Sequence, residues 1–400
     1  MKILYGFSNC SDRKYDEIFK DKPVSVMLTD QKYHGLLIKG LKENGAELYC
    51  VSGLPINRSV TKKLFIHEAD EEENGVKYHY INTLNLQIFR QLGIFYGAYN
   101  YILKSCKKGE ENTCIICDCL NVANAYGALK AAKKRKVPII FILTDLPDMF
   151  NESKFRKNIK NRLLKKADGF IFLTEQMNDK VNPYKKPYIV LEGHADCSLS
   201  EIPDRERYEN TDGKKIVIYA GSIQKLYGIQ NLVEGFIRAA IDNAELHIYG
   251  DGDYREELES VCRKNTSVKY MGVRANREIV YAEQRAALLV NPRPTAPEYT
   301  KYSFPSKNME YMVSGTPVMT TLLSGMPKEY YPYIYGIEDE TAQGIANALK
   351  DFFAIDKKIR YNTGAAAREF VIKNKSNVVQ TKKILEFLKG KIIVNNGEKR

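Results

Sequence analysis

The sequence predicts two α/β domains of the doubly wound, Rossmann-like kind, facing each other across a cleft. Three observations carry that expectation. Strand-like runs alternate with helix-like runs over most of the 400 residues. Many strand-like runs are continuous in Val, Ile, Leu, Phe or Tyr, as expected where helices cover both faces of a parallel sheet. A polar stretch near 195–213 separates two such series, and the length exceeds what one ordinary core needs.

The first series places strands at 2–7, 46–51, 76–81, 114–118, 138–143, 169–173 and 188–191. Met1 to Phe7 turns polar too soon for a signal peptide and reads as the first buried strand. The helix Leu36 to Asn44 is expected to start after Gln31-Lys32-Tyr33-His34-Gly35. The second series places strands at 215–220, 245–249, 268–271, 287–291 and 317–321, with helices at 229–240, 253–263, 274–284, 306–314 and 341–354. The expected division is therefore 1–197, 198–375, and a C-terminal segment 376–400 that crosses back to the first domain. Within that segment Asn377 to Leu388 is amphipathic, and Asn395 to Arg400 is expected to fray.

Composition narrows the function. Hydrophobic residues make up 44% and charged residues 28%, values of a soluble globular chain. No apolar run is long enough to cross a bilayer. The net charge of +12 suits nucleic acid, an anionic membrane surface or phosphate-bearing substrates. The charge is dispersed over both halves and no nucleic-acid motif is present, so a nucleic-acid partner is not expected. The eight Cys are scattered. Cys114, Cys117 and Cys119 read as small apolar side chains on a buried strand, which implies a reducing cytoplasm and no structural metal.

Chemistry concentrates between Ala287 and Thr321. A strand ends in Asn291-Pro292-Arg293, a loop carries Ser303-Phe304-Pro305-Ser306-Lys307, and a helix follows that holds Glu310. Pro305 and Ser306 suit a helix N-terminus. Its free amides and dipole favour an anion such as a diphosphate. Glu310, one turn in, can accept from both hydroxyls of a ribose. A second signal, Tyr219-Ala220-Gly221-Ser222-Ile223-Gln224-Lys225-Leu226-Tyr227-Gly228, links a strand to a helix. There Gly221 allows close approach, and Ser222 and Lys225 can reach a diphosphate. A third, Gly250-Asp251-Gly252, has the same strand-to-helix setting. Each of these two, taken alone, also reads as a plain βα turn.

In order and spacing, residues 215–325 resemble the donor domain of glycosyltransferase family 4, the retaining enzymes of GT-B fold. That pattern runs Gly-Arg, then Lys-Gly, then Gly-x-Gly, a Glu-x7-Glu loop-helix and Gly-x-Pro-Val. Glu310 matches the second Glu, and Gly315, Pro317 and Val318 match the strand restart. Tyr302, Ser222 and Tyr227 stand where the commoner pattern has Glu, Arg and Lys. Lys225, Arg293 or Lys307 are candidates to supply the missing cations. Phe304-Pro305-Ser306-Lys307 resembles a variant found among members that build bacterial surface polysaccharides.

The resemblance implies a nucleotide sugar, with uridine as the expected base, as co-substrate and no further cofactor. It implies donor contacts from Gly221, Ser222, Gly250, Gly252, Arg293, Phe304, Pro305, Ser306, Lys307 and Glu310. On the acceptor side it points to Asn9, His34 and Gly35, although a plain helix start also accounts for His34. Asp145, in Thr144-Asp145-Leu146-Pro147-Asp148, takes the place of a family His, and with Lys225 it is the catalytic candidate. Gly193-His194-Ala195-Asp196 matches a turn into the interdomain linker. The implied reaction retains anomeric configuration, uses the leaving phosphate as base and needs no divalent metal. Gly250-Asp251-Gly252-Asp253 has an Asp-x-Asp spacing that Gly-x-Gly explains better.

The helix Lys154 to Lys166 carries a stripe of Phe155, Ile159 and Leu163 among cations. It is either a dock for anionic lipid on the inner face of the membrane or a surface helix packed inward. The expected acceptor is a glycan or a lipid-linked glycan. A dehydrogenase is excluded because Met1–Asn9 lacks the dinucleotide fingerprint. A non-catalytic GT-B subunit stays open, because three motif positions are altered.

Overall fold

In the computed structural model the described residues are 1–19, 25–58, 60–146, 154–196 and 213–393. They form two units. One comprises Met1–His194 together with the chain from Asn377, and the other is Ala195–Ser376. The expected linker at 198–212 and the expected fraying end lie outside the described residues, as does Cys197.

The first unit carries an eight-stranded sheet. Its strands are β1 (Lys2–Phe7), β2 (Glu47–Ser52), β4 (Glu71–Glu73), β5 (Val76–Tyr80), β7 (Thr113–Asp118), β8 (Ile139–Leu143), β9 (Gly169–Phe172) and β10 (Tyr188–Val190). A short antiparallel ribbon of β3 (Phe65–Ile66) and β6 (Thr83–Leu84), which are not neighbours in sequence, stands apart from it. The order is β10-β9-β8-β7-β1-β2-β5-β4. Every pair is parallel except the edge pair β4–β5. Every residue of β7, β8 and β9 is buried, because helices cover both faces. Cys114 and Cys117 project to opposite faces of β7 by strand alternation and are fully buried. Ile384, Leu388 and Ile392, from the returning C-terminal segment, complete the core under β1 and β2.

The second unit holds a six-stranded parallel sheet, ordered β13 (Val268–Gly272), β12 (Ala244–Tyr249), β11 (Lys215–Ala220), β14 (Leu288–Asn291), β15 (Val318–Thr321) and β16 (Tyr335–Ile337). In each sheet the strand order reverses beside the unit's first strand. The reversal falls between β1 and β7 in one, and between β11 and β14 in the other. Such switch points open a crevice at the carboxyl ends of the strands. Asn9 and Asp118 flank the first, while Gly221 and Arg293 flank the second.

One expected boundary is corrected. The helix expected to begin at Leu36 begins at Ser25 and runs to Glu43. Residues 25–34 contain no Pro or Gly, and Met27, Leu28, Gln31 and Lys32 are good helix formers. His34 and Gly35 therefore sit inside the helix rather than in a loop before it. An added Cβ at Gly35 would meet nothing within 4 Å. Gly35→Ala is accordingly expected to raise stability by roughly 0.5–1 kcal/mol through backbone entropy. Thermal denaturation checks this.

Candidate functional site

At the end of β11 the chain makes a sharp change. Gly221 has φ +150°. A Cβ there would lie 1.1 Å from Lys307 Nζ. With no side chain in the way, the Lys307 ammonium reaches over Gly221 and donates to the Ala220 carbonyl at 2.6 Å. Tyr311, from the next turn of the same helix, accepts from the Ala220 N–H at 2.8 Å. Its hydroxyl donates to the Ala220 carbonyl at 3.3 Å. Burial, with Arg293 adding to its effect and Glu310 and Glu283 opposing it, lowers the Lys307 pKa to about 8. These four charged side chains therefore share one neighbourhood.

The helix Ser306–Ser314 starts after Pro305 with no capping side chain. Its first amides have no partner within the helix. Asn308 is 1% exposed. Its Oδ1 accepts from Asn291 Nδ2 at 2.8 Å. Its Nδ2 has no acceptor among the described residues. Arg293 lies over the rings of Tyr227 at 4.7 Å and Tyr299 at 5.3 Å. Its Nε also lacks an acceptor among the described residues. Tyr227, which stands where the resemblance has Lys, thus helps to hold a different cation.

Two expected site residues, Lys225 and Phe304, are corrected. Lys225 is turned outward to an ion pair with Glu257, Nζ to Oε1 at 2.5 Å, because its short 3-10 turn sits on the surface. Phe304 is 5% exposed and packs on the Tyr330 ring at 5.1 Å, so it is a core residue. The two glycines of Gly250-Asp251-Gly252 serve backbone packing. A Cβ at Gly250 would meet the Gly221 carbonyl oxygen at 1.8 Å, and one at Gly252 the Ile223 carbonyl oxygen at 2.2 Å. Ser222 is exposed, and its carbonyl accepts from Tyr219 OH at 2.8 Å. Ser306 is exposed at the helix start, while Glu310, one turn on, is half-buried. Sequence reasoning missed Asn308, Asn291, Tyr311 and Glu283. Asn at the end of an apolar strand and Asn in a helix's first turn were the available signals.

The first unit gathers polar groups at its own switch point. Asn9 is 4% exposed and its Nδ2 has no acceptor among the described residues. Asn124, missed by sequence reasoning, donates to the carbonyls of Phe7 at 2.9 Å and Val51 at 3.0 Å, tying β1 to β2. The Oδ1 of Asn124, the Nδ2 of Asn121 and the hydroxyl of Tyr33 are likewise unpaired among the described residues. Asp118, at the end of β7, is pushed up to about pKa 7 by burial, with Asp30 and Asp145 adding to the rise. Asp145 thus does lie near a second carboxylate. Pro147 and Asp148 lie outside the described residues. His34 is corrected to a core residue: it is 3% exposed, bonds Tyr5 OH through Nδ1 at 2.7 Å, and burial lowers its pKa to about 3.

The basic helix Lys154–Lys166 packs its stripe inward. Leu163 is fully buried and Ile159 half-buried, while the Phe155 side chain lies outside the described residues. The lipid-facing version of that helix is therefore corrected. No helix among the described residues is long and apolar enough to cross a membrane.

Comparison with known proteins now has geometry to meet. Residues 214–354 match the family model for glycosyl transferases group 1, a match confined to the second unit. Anabaena HepE, solved in complex with UDP, is similar with a TM-score of 0.67 at 15% identity, over 97% of this chain and 100% of that one. The fold is GT-B. A glycosyltransferase from Rickettsia africae has a TM-score of 0.69 at 15% identity, over 99% of each chain. The lipopolysaccharide outer core galactosyltransferase WaaB has a TM-score of 0.62 at 15% identity, over 98% of this chain and 100% of that one. No curated protein matches the chain. Together the domain match and the GT-B fold support a glycosyltransferase.

Two expectations follow. Gly221→Ala should destabilise the protein by about 1–3 kcal/mol, because its Cβ would displace Lys307 and residue 221 holds a φ that a side-chain-bearing residue rarely adopts; denaturant titration reads this. Asp118 has a folded pKa near 7 against an ordinary value of 3.8. Between those values the folded state holds the proton more tightly, so this group's contribution to stability falls as pH rises. Asp118→Asn cannot ionise. The melting temperature of the variant minus that of wild type should therefore grow between about pH 4 and about pH 7 and level off above that. A constant difference would show that Asp118 is not perturbed.

Proposed function

We propose that the chain is a retaining glycosyltransferase that moves a sugar from a nucleoside diphosphate, with uridine as the base, to a glycan or lipid-linked acceptor in surface polysaccharide synthesis. The observation that carries this reading is the group at the second unit's switch point. There an uncapped helix start, the Asn308 donor and two cations, Lys307 and Arg293, surround a glycine turn. A diphosphate supplies the acceptors that these donors lack, and in this reading Glu310, one helical turn on, accepts from a ribose. The domain match at 214–354 supports the donor class. HepE structures in complex with UDP and with UDP-glucose support the base, and the galactosyltransferase WaaB supports the acceptor class.

The step balances simply. The bond between the anomeric carbon and the β-phosphate oxygen breaks, and the electron pair leaves with the nucleoside diphosphate. An acceptor hydroxyl forms the new bond on the same face, and its proton passes to the departing phosphate. Lys307, Arg293 and the amides of Ser306 and Lys307 stabilise the charge that grows there. Because these groups meet that charge, the proposal assigns no divalent metal and no cofactor besides the donor. In the first unit, the unpaired groups of Asn9, Tyr33 and Asn121 suit a ligand rich in hydroxyls, which both donate and accept. Asp118 and Asp145 stand beside them as candidates to orient an acceptor hydroxyl.

Isothermal titration with UDP tests the reading. Lys307→Met should weaken binding roughly ten- to a hundredfold, the worth of one charge-assisted hydrogen bond. The pKa of Lys307 is near 8, and only the ammonium attracts phosphate. Wild-type affinity should therefore fall as pH climbs past about 8, while the variant's should not. Binding without donor hydrolysis or transfer would favour a non-catalytic subunit, in keeping with Tyr302, Ser222 and Tyr227. If no nucleoside diphosphate binds, the proposal fails.

A further inference from the structure

In the first unit, two segments leave the carboxyl ends of β2 and β5 and pair with each other. Phe65 faces Leu84 across the antiparallel β3–β6 ribbon. The Asn85 N–H donates to the Leu64 carbonyl at 2.7 Å, and the Asn85 side chain donates to the carbonyls of Thr61 and Lys63, both at 3.1 Å. Arg90, in the first turn of the helix Gln87–Ser105, donates to the Ile56 carbonyl at 2.7 Å. Ribbon and helix start thus form one surface whose backbone is largely satisfied from within.

What this surface shows to solvent is apolar. Ile88 is 73% exposed, Tyr96 59%, Phe65 57%, Phe89 56%, Leu64 51% and Leu92 49%. Ile88, Leu92 and Tyr96 fall on one face of the helix at four-residue spacing. Scattered exposed apolar residues are ordinary, but a contiguous set marks an interaction surface. Its charge is one-sided as well. Residues 53–67 and 74–109 contain no Asp or Glu, while Arg58, Lys62 and Lys63 are exposed within the first of them.

We propose that this face docks on an anionic lipid surface, with the Leu64–Phe65 strand and the Ile88–Phe89 helix start sunk among the lipids and Arg58, Lys62 and Lys63 at the headgroups. Apolar and aromatic side chains ringed by cations are the composition that holds a peripheral protein at such an interface. A second copy of this chain is disfavoured as the occupant, because two-fold pairing of this face sets the same cations against each other with no carboxylate from either segment. The strands of this sheet are parallel apart from β4, so the docking segments leave the same edge as Asn9, Asp118 and Asp145. That edge would then face the membrane, and the matching acceptor is one carried on a lipid. The docking itself does not depend on the transfer reaction.

The test uses the full chain and two vesicle preparations, pure phosphatidylcholine and equimolar phosphatidylcholine with phosphatidylglycerol. Wild type should sediment with the anionic vesicles and stay in solution with the neutral ones. The combined variant Ile88→Ser, Phe89→Ser, Leu92→Ser should lose at least most of that binding, and Lys62→Glu with Lys63→Glu should lose it in a salt-dependent way. Circular dichroism and thermal melts confirm that the variants are folded, and UDP titration, read separately, should not change. Equal sedimentation of wild type and the serine variant overturns the proposal. So does a wild-type dimer in size-exclusion chromatography that the serine variant dissolves, which would make this face a self-association surface. Failure to bind UDP bears on the transfer reading alone.

Discussion

The carbonyl of Ala220 fixes the second unit's site. It receives the Lys307 ammonium and the Tyr311 hydroxyl, two side chains one turn apart on a single helix. That convergence pins the start of the Ser306–Ser314 helix against the end of β11. It is possible only because residue 221 carries no side chain. A charge-assisted hydrogen bond contributes about 1.5–3 kcal/mol, and it also spares Lys307 part of the cost of leaving water. The contact uses one of three ammonium donors, so the cation is held in place without being fully satisfied. A site for an anion needs both properties: a charge that does not wander and donors still open.

Much of the frame was readable beforehand, because β strands buried on both faces leave continuous apolar runs. Lys215–Ala220 was legible to the residue, and so was the helix Ser306–Ser314 with its Pro305 start. The helix Val122–Arg135 was not, since its buried face is built from Ala and Gly and gives little contrast. Two glycines have a packing duty that the sequence did not reveal. Gly250 and Gly252 make room for the Gly221–Ile223 backbone, and the sequence signature of that close approach is the same as for a ligand. Lys225 and Lys307 were indistinguishable as phosphate partners, because only the fold decides that one meets Glu257 on the surface and the other crosses a glycine. Asp118 was hidden by position: a carboxylate closing a Cys-rich strand reads as a turn residue until its burial is seen.

The two switch points share an electrostatic habit. In one a lysine has been made easier to discharge, and in the other an aspartate has been made easier to protonate. Burial is the main cause in both, and neighbouring like charge reinforces it. Groups poised near neutrality change charge at little cost, which is why such perturbations gather where ligands exchange. Each crevice therefore carries its own adjustable charge, set by the local packing of its own sheet.

The chain's return to the first unit has a consequence for biosynthesis. Ile384, Leu388 and Ile392 belong to the core beneath β1 and β2, yet they are made last. The ribosome must complete about 180 intervening residues, on the order of ten to forty seconds of elongation, before that core can close. The inserted unit is continuous in sequence and can fold during this interval, while the earlier half waits with apolar strands uncovered. Nascent chains halted before Asn377 should therefore be the form that chaperones hold longest.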